Sequence, residues 1–121
     1  MESNDVSPIS KETAKHYVWG SCCDGWHLVK NSELSVIQER MPAGTFEVRH
    51  LHHQAQQFFY ILSGEAAMEV DGRHMTLRAG EGVRIPAGRA HQLRNSSGAD
   101  LHFLVISQPP SDGDRVIVDE D

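Results

Sequence analysis

From residue 17 to residue 107 the chain runs as short apolar stretches broken by glycine, with no sustained amphipathic-helix period. Period-two stretches rich in Val, Ile, Phe and Tyr predict strands over 27–30, 34–41, 47–52, 57–62, 65–70, 73–77, 82–85, 91–95 and 101–107. Within 57–62, alternation sets Gln57, Phe59 and Ile61 on one face and Phe58, Tyr60 and Leu62 on the other. Ser63-Gly64 and Asp71-Gly72 join neighbouring strands, and Asp-Gly suits the two-residue hairpin turn. Ala79-Gly80 and Ser97-Gly98 mark further turns. Many short strands at regular spacing predict an all-β sandwich or barrel.

The flanks differ from this core. The first fifteen residues are polar and read as a loose arm or a short helix over 10–15, which Ser10 is placed to cap with Glu12 in its first turn. Pro109-Pro110 ends the regular pattern, and 116–118 reads as one more strand, expected against a partner subunit. The expected organisation is one domain over 1–121, with an N-terminal arm 1–16, a barrel core over 27–107 and a tail 108–121. Tyr17, Trp19 and Trp26 at the amino end, beside an open sheet edge, predict a homodimer.

Composition narrows the class. Of 121 residues, 39% are apolar and 23% charged, the balance of a globular domain, and no apolar run approaches bilayer length. The net charge of −6 and the absence of a basic run argue against nucleic acid or an anionic membrane as partner. The start, Met1-Glu2-Ser3-Asn4-Asp5, lacks the basic and apolar regions of a signal peptide, so a cytoplasmic location is expected. Cys22 and Cys23 are adjacent, too strained a pair for a bridge and wrongly spaced for a thiolate metal site, which leaves packing as their role.

The chemistry lies in two blocks. His50 and His52 share a face if their strand is regular, and Gln57 follows between Gly44 and Gly64. Pro86, Gly88, His91 and Asn95 follow Gly80, with His91, Leu93 and Asn95 on a common face. Imidazoles presented from separate strands toward one point are a metal site's requirement. His16, His27, His53, His74 and His102 lie outside this pattern and are read as structural.

Together the blocks resemble the two signature motifs of the cupin superfamily. The second fits throughout; the first departs only at Gln57, where the family usually has a glutamate. The resemblance covers roughly residues 34–106 and implies a double-stranded β-helix, or jelly roll, with the metal near one mouth. It implies His50, His52, Gln57 and His91 as ligands of one divalent transition metal ion, with Zn, Ni, Fe, Mn and Cu all open. Phe59, Ile61 and Leu93 are expected to line the pocket. Glutamine in place of glutamate leaves the ion its full charge, which strengthens Lewis acidity, and it either weakens retention or leaves Gln57 beside the ion while three histidines bind alone. Some cupins that isomerise or linearise uronate sugars are similar in carrying glutamine at this position.

The expected function is a metal-dependent enzyme acting on a small oxygen-rich substrate such as a sugar, a keto acid or a dicarbonyl, of isomerase, tautomerase or lyase type. An Fe-dependent dioxygenase and a non-catalytic small-molecule-binding barrel are the alternatives. Candidate proton-transfer residues are Glu39, Arg40 and His102, none of them singled out by the sequence.

Overall fold

In the computed structural model, which describes residues 6–119, the period-two pattern becomes eleven β-strands with no helix among those residues. They are β1 (Lys15–Trp19), β2 (Cys23–Lys30), β3 (Ser35–Met41), β4 (His50–His52), β5 (Gln56–Ser63), β6 (Glu65–Val70), β7 (Arg73–Arg78), β8 (Gly82–Ile85), β9 (His91–Arg94), β10 (Leu101–Gln108) and β11 (Arg115–Ile117). They form two antiparallel sheets, ordered β1-β2-β3-β10-β5-β8 and β11-β4-β9-β6-β7. This is the double-stranded β-helix, a jelly roll whose inward side chains meet between the sheets. Cys23, Met41, Phe59, Ile61, Ile85, Leu101, Phe103 and Val105 pack from the first sheet against Ala66, Met68, Val70, Leu77 and Leu93 of the second. Alternation is plain along β10, where Leu101, Phe103, Val105 and Ser107 are buried and the residues between them are not.

Turn chemistry sets the registers. Asp71 (φ 49°) and Gly72 (φ 87°) are both left-handed, so the β6–β7 hairpin closes with Val70 opposite Arg73. Gly64 (φ 92°) lies where an added Cβ would sit 2.6 Å from the Asp100 carbonyl oxygen, so the β5–β6 turn requires glycine. Gly88 donates its N–H to the His52 carbonyl at 2.7 Å, tying the turn before β9 to β4.

The flanks depart from expectation. Residues 10–15 form no helix: the Ser10 carbonyl accepts from Thr13 and Ala14 in a single turn, and the chain then enters β1. Of this span only Lys15 pairs with β2, opposite His27. Residues 1–5 of the expected arm lie outside the described residues. At the other end, β11 is a strand of this chain's own sheet, pairing with β4 through Arg115–His52, Val116–Leu51 and Ile117–His50. The expected strand over 47–52 is shorter at its start, because the Glu47 carboxyl accepts the Leu93 N–H and only Phe46 bridges to Arg94 there. Of the two cysteines, Cys23 is fully buried, whereas Cys22 is exposed in the β1–β2 turn with φ 74°.

Candidate metal centre

Three imidazoles converge on the five-stranded sheet. His50 on β4 pairs directly with His91 on β9, and His52 follows one pleat along on the same face of β4. One nitrogen from each ring lies within 4.8 Å of the others, and all three residues are buried. Ring centroids are 4.6 Å apart for His50–His91, 4.9 Å for His50–His52 and 6.1 Å for His52–His91.

The hydrogen bonds fix which nitrogens are free. Nδ1 of His50 donates to the Val48 carbonyl at 2.7 Å, and Nδ1 of His91 donates to the Arg89 carbonyl at 3.0 Å. A carbonyl only accepts, so in both rings Nε2 carries the lone pair, the tautomer a metal ligand needs. Burial holds all three histidines neutral, since desolvation depresses each pKa, that of His50 to about 3.

Gln57 enters from the opposite sheet. Its Nε2 donates to Ser107 Oγ at 3.0 Å, while Oε1 is buried without a partner. Nε2 of His91 and Nδ1 of His52 are likewise buried and unsatisfied. Unpaired buried polar atoms cost free energy, and a divalent cation would satisfy acceptors of this kind together. Imidazole nitrogens with an amide oxygen are a donor set suited to first-row transition metals. The residues therefore fit a bound ion.

The site opens into a cavity of about 360 Å³, a volume suited to a small molecule. His50, His52, Gln57 and Phe59 line it, and the Phe59 ring meets the His91 ring edge to face at 5.7 Å between centroids. Also in the lining are Tyr17 and Trp19 of β1, His27 of β2, and Ile37 and Glu39 of β3, with Glu47 before β4. Tyr17 donates its hydroxyl to Glu39 at 2.9 Å. Both carboxyls keep some surface along the cavity, yet surrounding protein disfavours their ionised form. Desolvation raises Glu39 to about 7, and desolvation with the nearby Glu39 raises Glu47 to about 8. Desolvation also raises the Tyr17 hydroxyl far above its usual range.

The other expected residues lie elsewhere. Arg40 projects from the opposite face of β3 and bonds Asp24 at 2.7 Å and Asp100 at 3.1 Å. His102 precedes the inward Phe103 and lies near Arg40 and Asp100. Neither lines the cavity. Ile61 and Leu93 are fully buried core residues that do not line it either. Tyr17 and Trp19, expected at a subunit interface, turn inward, while Trp26 lies outward beside His16 and Lys11. Asn95 is fully engaged, donating to the Met41 and Ala99 carbonyls, so its part is structural.

Sequence reasoning passed over His27, Glu47, Tyr17, Asp112 and Arg115. Alternation alone would have aligned His27 with Cys23 and Glu39 with Met41. The cavity residues of the first and last segments carry no comparable signal, because those segments sit outside any motif.

Comparisons with known proteins agree with this geometry. A family model described as "Cupin domain" matches residues 37–107. An uncharacterised protein of Streptomyces coelicolor is 34% identical over 89 residues, covering 72% of this chain and 83% of that protein. An oxalate-binding protein of Thermotoga maritima is 28% identical over 67 residues, covering 55% of each chain, so the match spans little more than half of that relative. Among solved structures, a sugar phosphate isomerase from Silicibacter pomeroyi superposes with a TM-score of 0.77 at 18% identity, covering 86% of this chain and 76% of that one.

Proposed function

Since this chain belongs to the cupin domain family, and three buried imidazoles of its jelly roll meet at one point, we propose that it is a metal-dependent enzyme acting on a small oxygen-rich substrate by isomerase, tautomerase or lyase chemistry. The observation that carries this reading is the set of unpartnered buried polar atoms on His52, His91 and Gln57, beside a cavity of substrate size that His50, His52 and Gln57 line.

His50, His52 and His91 would hold the ion, with Gln57 Oε1 as the fourth donor. A divalent ion there supplies Lewis acidity toward a substrate oxygen. The protein's own part is proton movement. Glu39 lines the same cavity with its pKa lifted to about 7, the range in which a carboxyl both takes and returns a proton near neutrality. Tyr17 orients it through the 2.9 Å hydrogen bond. Phe59, Trp19 and Val105 exclude water from part of the cavity.

The relatives bear on substrate class in one respect: the Thermotoga protein's name specifies oxalate, a small chelating oxygen compound. A sugar, keto acid or dicarbonyl offers the same pair of oxygens.

Elemental analysis of protein purified without chelator tests the reading. The expectation is close to one transition metal ion per chain, lost in His50→Ala, His52→Ala and His91→Ala variants that keep their β-sheet circular dichroism. Protein that takes up no metal after incubation with Zn, Ni, Mn, Fe or Cu salts would refute it. Loaded protein incubated with keto acids and sugars in D2O should exchange substrate C–H protons, and Glu39→Gln should slow that exchange by about 10²–10⁴-fold. Oxygen uptake in place of exchange would identify the dioxygenase chemistry instead.

A further inference from the structure

Two cations, Arg115 and Lys30, line the cavity alongside the carboxyls of Glu39, Glu47 and Asp112. Arg115 sits directly opposite His52 in the β11–β4 pair, and opposed residues of an antiparallel pair project from the same face. Its side chain accordingly lines the cavity, as does that of Lys30 at the end of β2. Arg40, Arg49, Arg78 and Arg89 each pair with a carboxylate. Among the described residues, neither Arg115 nor Lys30 makes such a pair. Asp112 is in the same lining, but within ion-pair distance of neither. Glu39 and Glu47 line the same cavity, where burial disfavours their ionised forms while Arg115 acts the other way on Glu47.

We propose that Arg115, assisted by Lys30, forms an anion subsite that receives the carboxylate or phosphate group of the small molecule whose other oxygens face the three histidines. The inference rests on the metal-site reading for the second half of that sentence only. A guanidinium fork matches the planar oxygens of a carboxylate or two oxygens of a phosphate, and a partly enclosed site strengthens the bond. Because β11 also joins the tail to β4, the tail becomes part of substrate recognition, selecting sugar acids, keto acids or phosphorylated sugars over their neutral counterparts.

Calorimetric titration with malonate, inorganic phosphate and neutral malonamide tests this, on protein as purified and again after chelation. At least one anion should bind the wild type in both preparations, and the better of the two identifies the head group. Arg115→Gln should weaken that binding roughly tenfold or more, as expected for loss of a charge-assisted bond. Lys30→Gln should weaken it less, and Arg73→Gln, on β7 at the far edge of the sheet that holds β11, should leave it unchanged. Malonamide should bind wild type and Arg115→Gln alike or not at all. Arg115 is exposed and its side chain donates no hydrogen bond to the fold, so the variant retains its structure, checked by thermal midpoint. Equal anion affinity in Arg115→Gln and wild type, or failure of both anions to bind, overturns the proposal. The chelated preparation separates the two readings: protein that holds no metal but loses anion affinity in Arg115→Gln refutes the metal site and leaves the subsite standing.

Discussion

Desolvation holds His50 down to about 3 and lifts Glu39 and Glu47 to about 7 and 8, so one cavity carries two opposite pH dependences. An unfolded histidine protonates near 6.5, whereas the folded one resists; as pH falls below 6.5 the unfolded state binds more protons and metal-free protein loses stability. An unfolded glutamate ionises near 4.5, whereas the folded pair keeps its protons until 7 to 8. As pH rises through that window the folded state binds more protons, and stability falls again. Metal-free protein should therefore be most stable at about pH 6, with an alkaline loss on the order of 2 kcal/mol by pH 8.5. Glu39→Gln keeps an acceptor for the Tyr17 hydroxyl but has no proton to release, so its alkaline limb should flatten. Thermal midpoints across pH 5–9 measure this, and an unchanged limb in the variant would remove Glu39 as its source.

At the scale of elements, the tail shows what period and turn chemistry do and do not reveal. The hairpin at Asp71-Gly72 and the inward row Gln57, Phe59, Ile61 were legible because each follows from local geometry. β1 was not, since its pairing with β2 runs through Gly20, Ser21 and Cys22, a loop without the Asp-Gly or Asn-Gly signal. β11 was visible as a strand but not its partner, because three residues cannot specify which edge they join. The structure supplies the missing determinant in Asp114. Its carboxylate accepts the N–H groups of His53, Gln54 and Ala55 at 2.9 Å each, and these bonds hold its pKa below the usual range. Replacing it with alanine should free both ends of the clamp. Hydrogen exchange should speed up at 53–55 and 115–117 while β5 and β10 keep their protection, and unchanged exchange at 115–117 would show that strand pairing alone secures the tail.

At the scale of the whole molecule, a metal at the candidate centre would join the two sheets by coordination as well as packing. The histidines belong to β4 and β9 of one sheet and Gln57 to β5 of the other, so an ion bound by all four would tie the layers together. The convergence of His50, His52 and His91 could be read from the sequence because the histidine spacing and the Gly88 turn are local. The rest of the cavity lining, Tyr17, Glu39, Glu47 and Arg115, could not, because it is assembled from four segments whose adjacency exists only in the fold. The cross-sheet tie has a measurable consequence. An ion that binds only the folded state stabilises it by mass action, about 2.7 kcal/mol at a free concentration of 100 times its Kd. For a chain of this length that is a rise of roughly 10 °C in thermal midpoint, reversed by a chelator. Gln57→Ala should reduce the metal-induced rise without abolishing it, since three imidazoles remain. Gln57→Glu should enlarge the rise, because a carboxylate adds a charged oxygen in nearly the same shape. A metal-induced rise equal in Gln57→Ala and wild type would place the ion on the histidines alone, with Gln57 serving only its bond to Ser107.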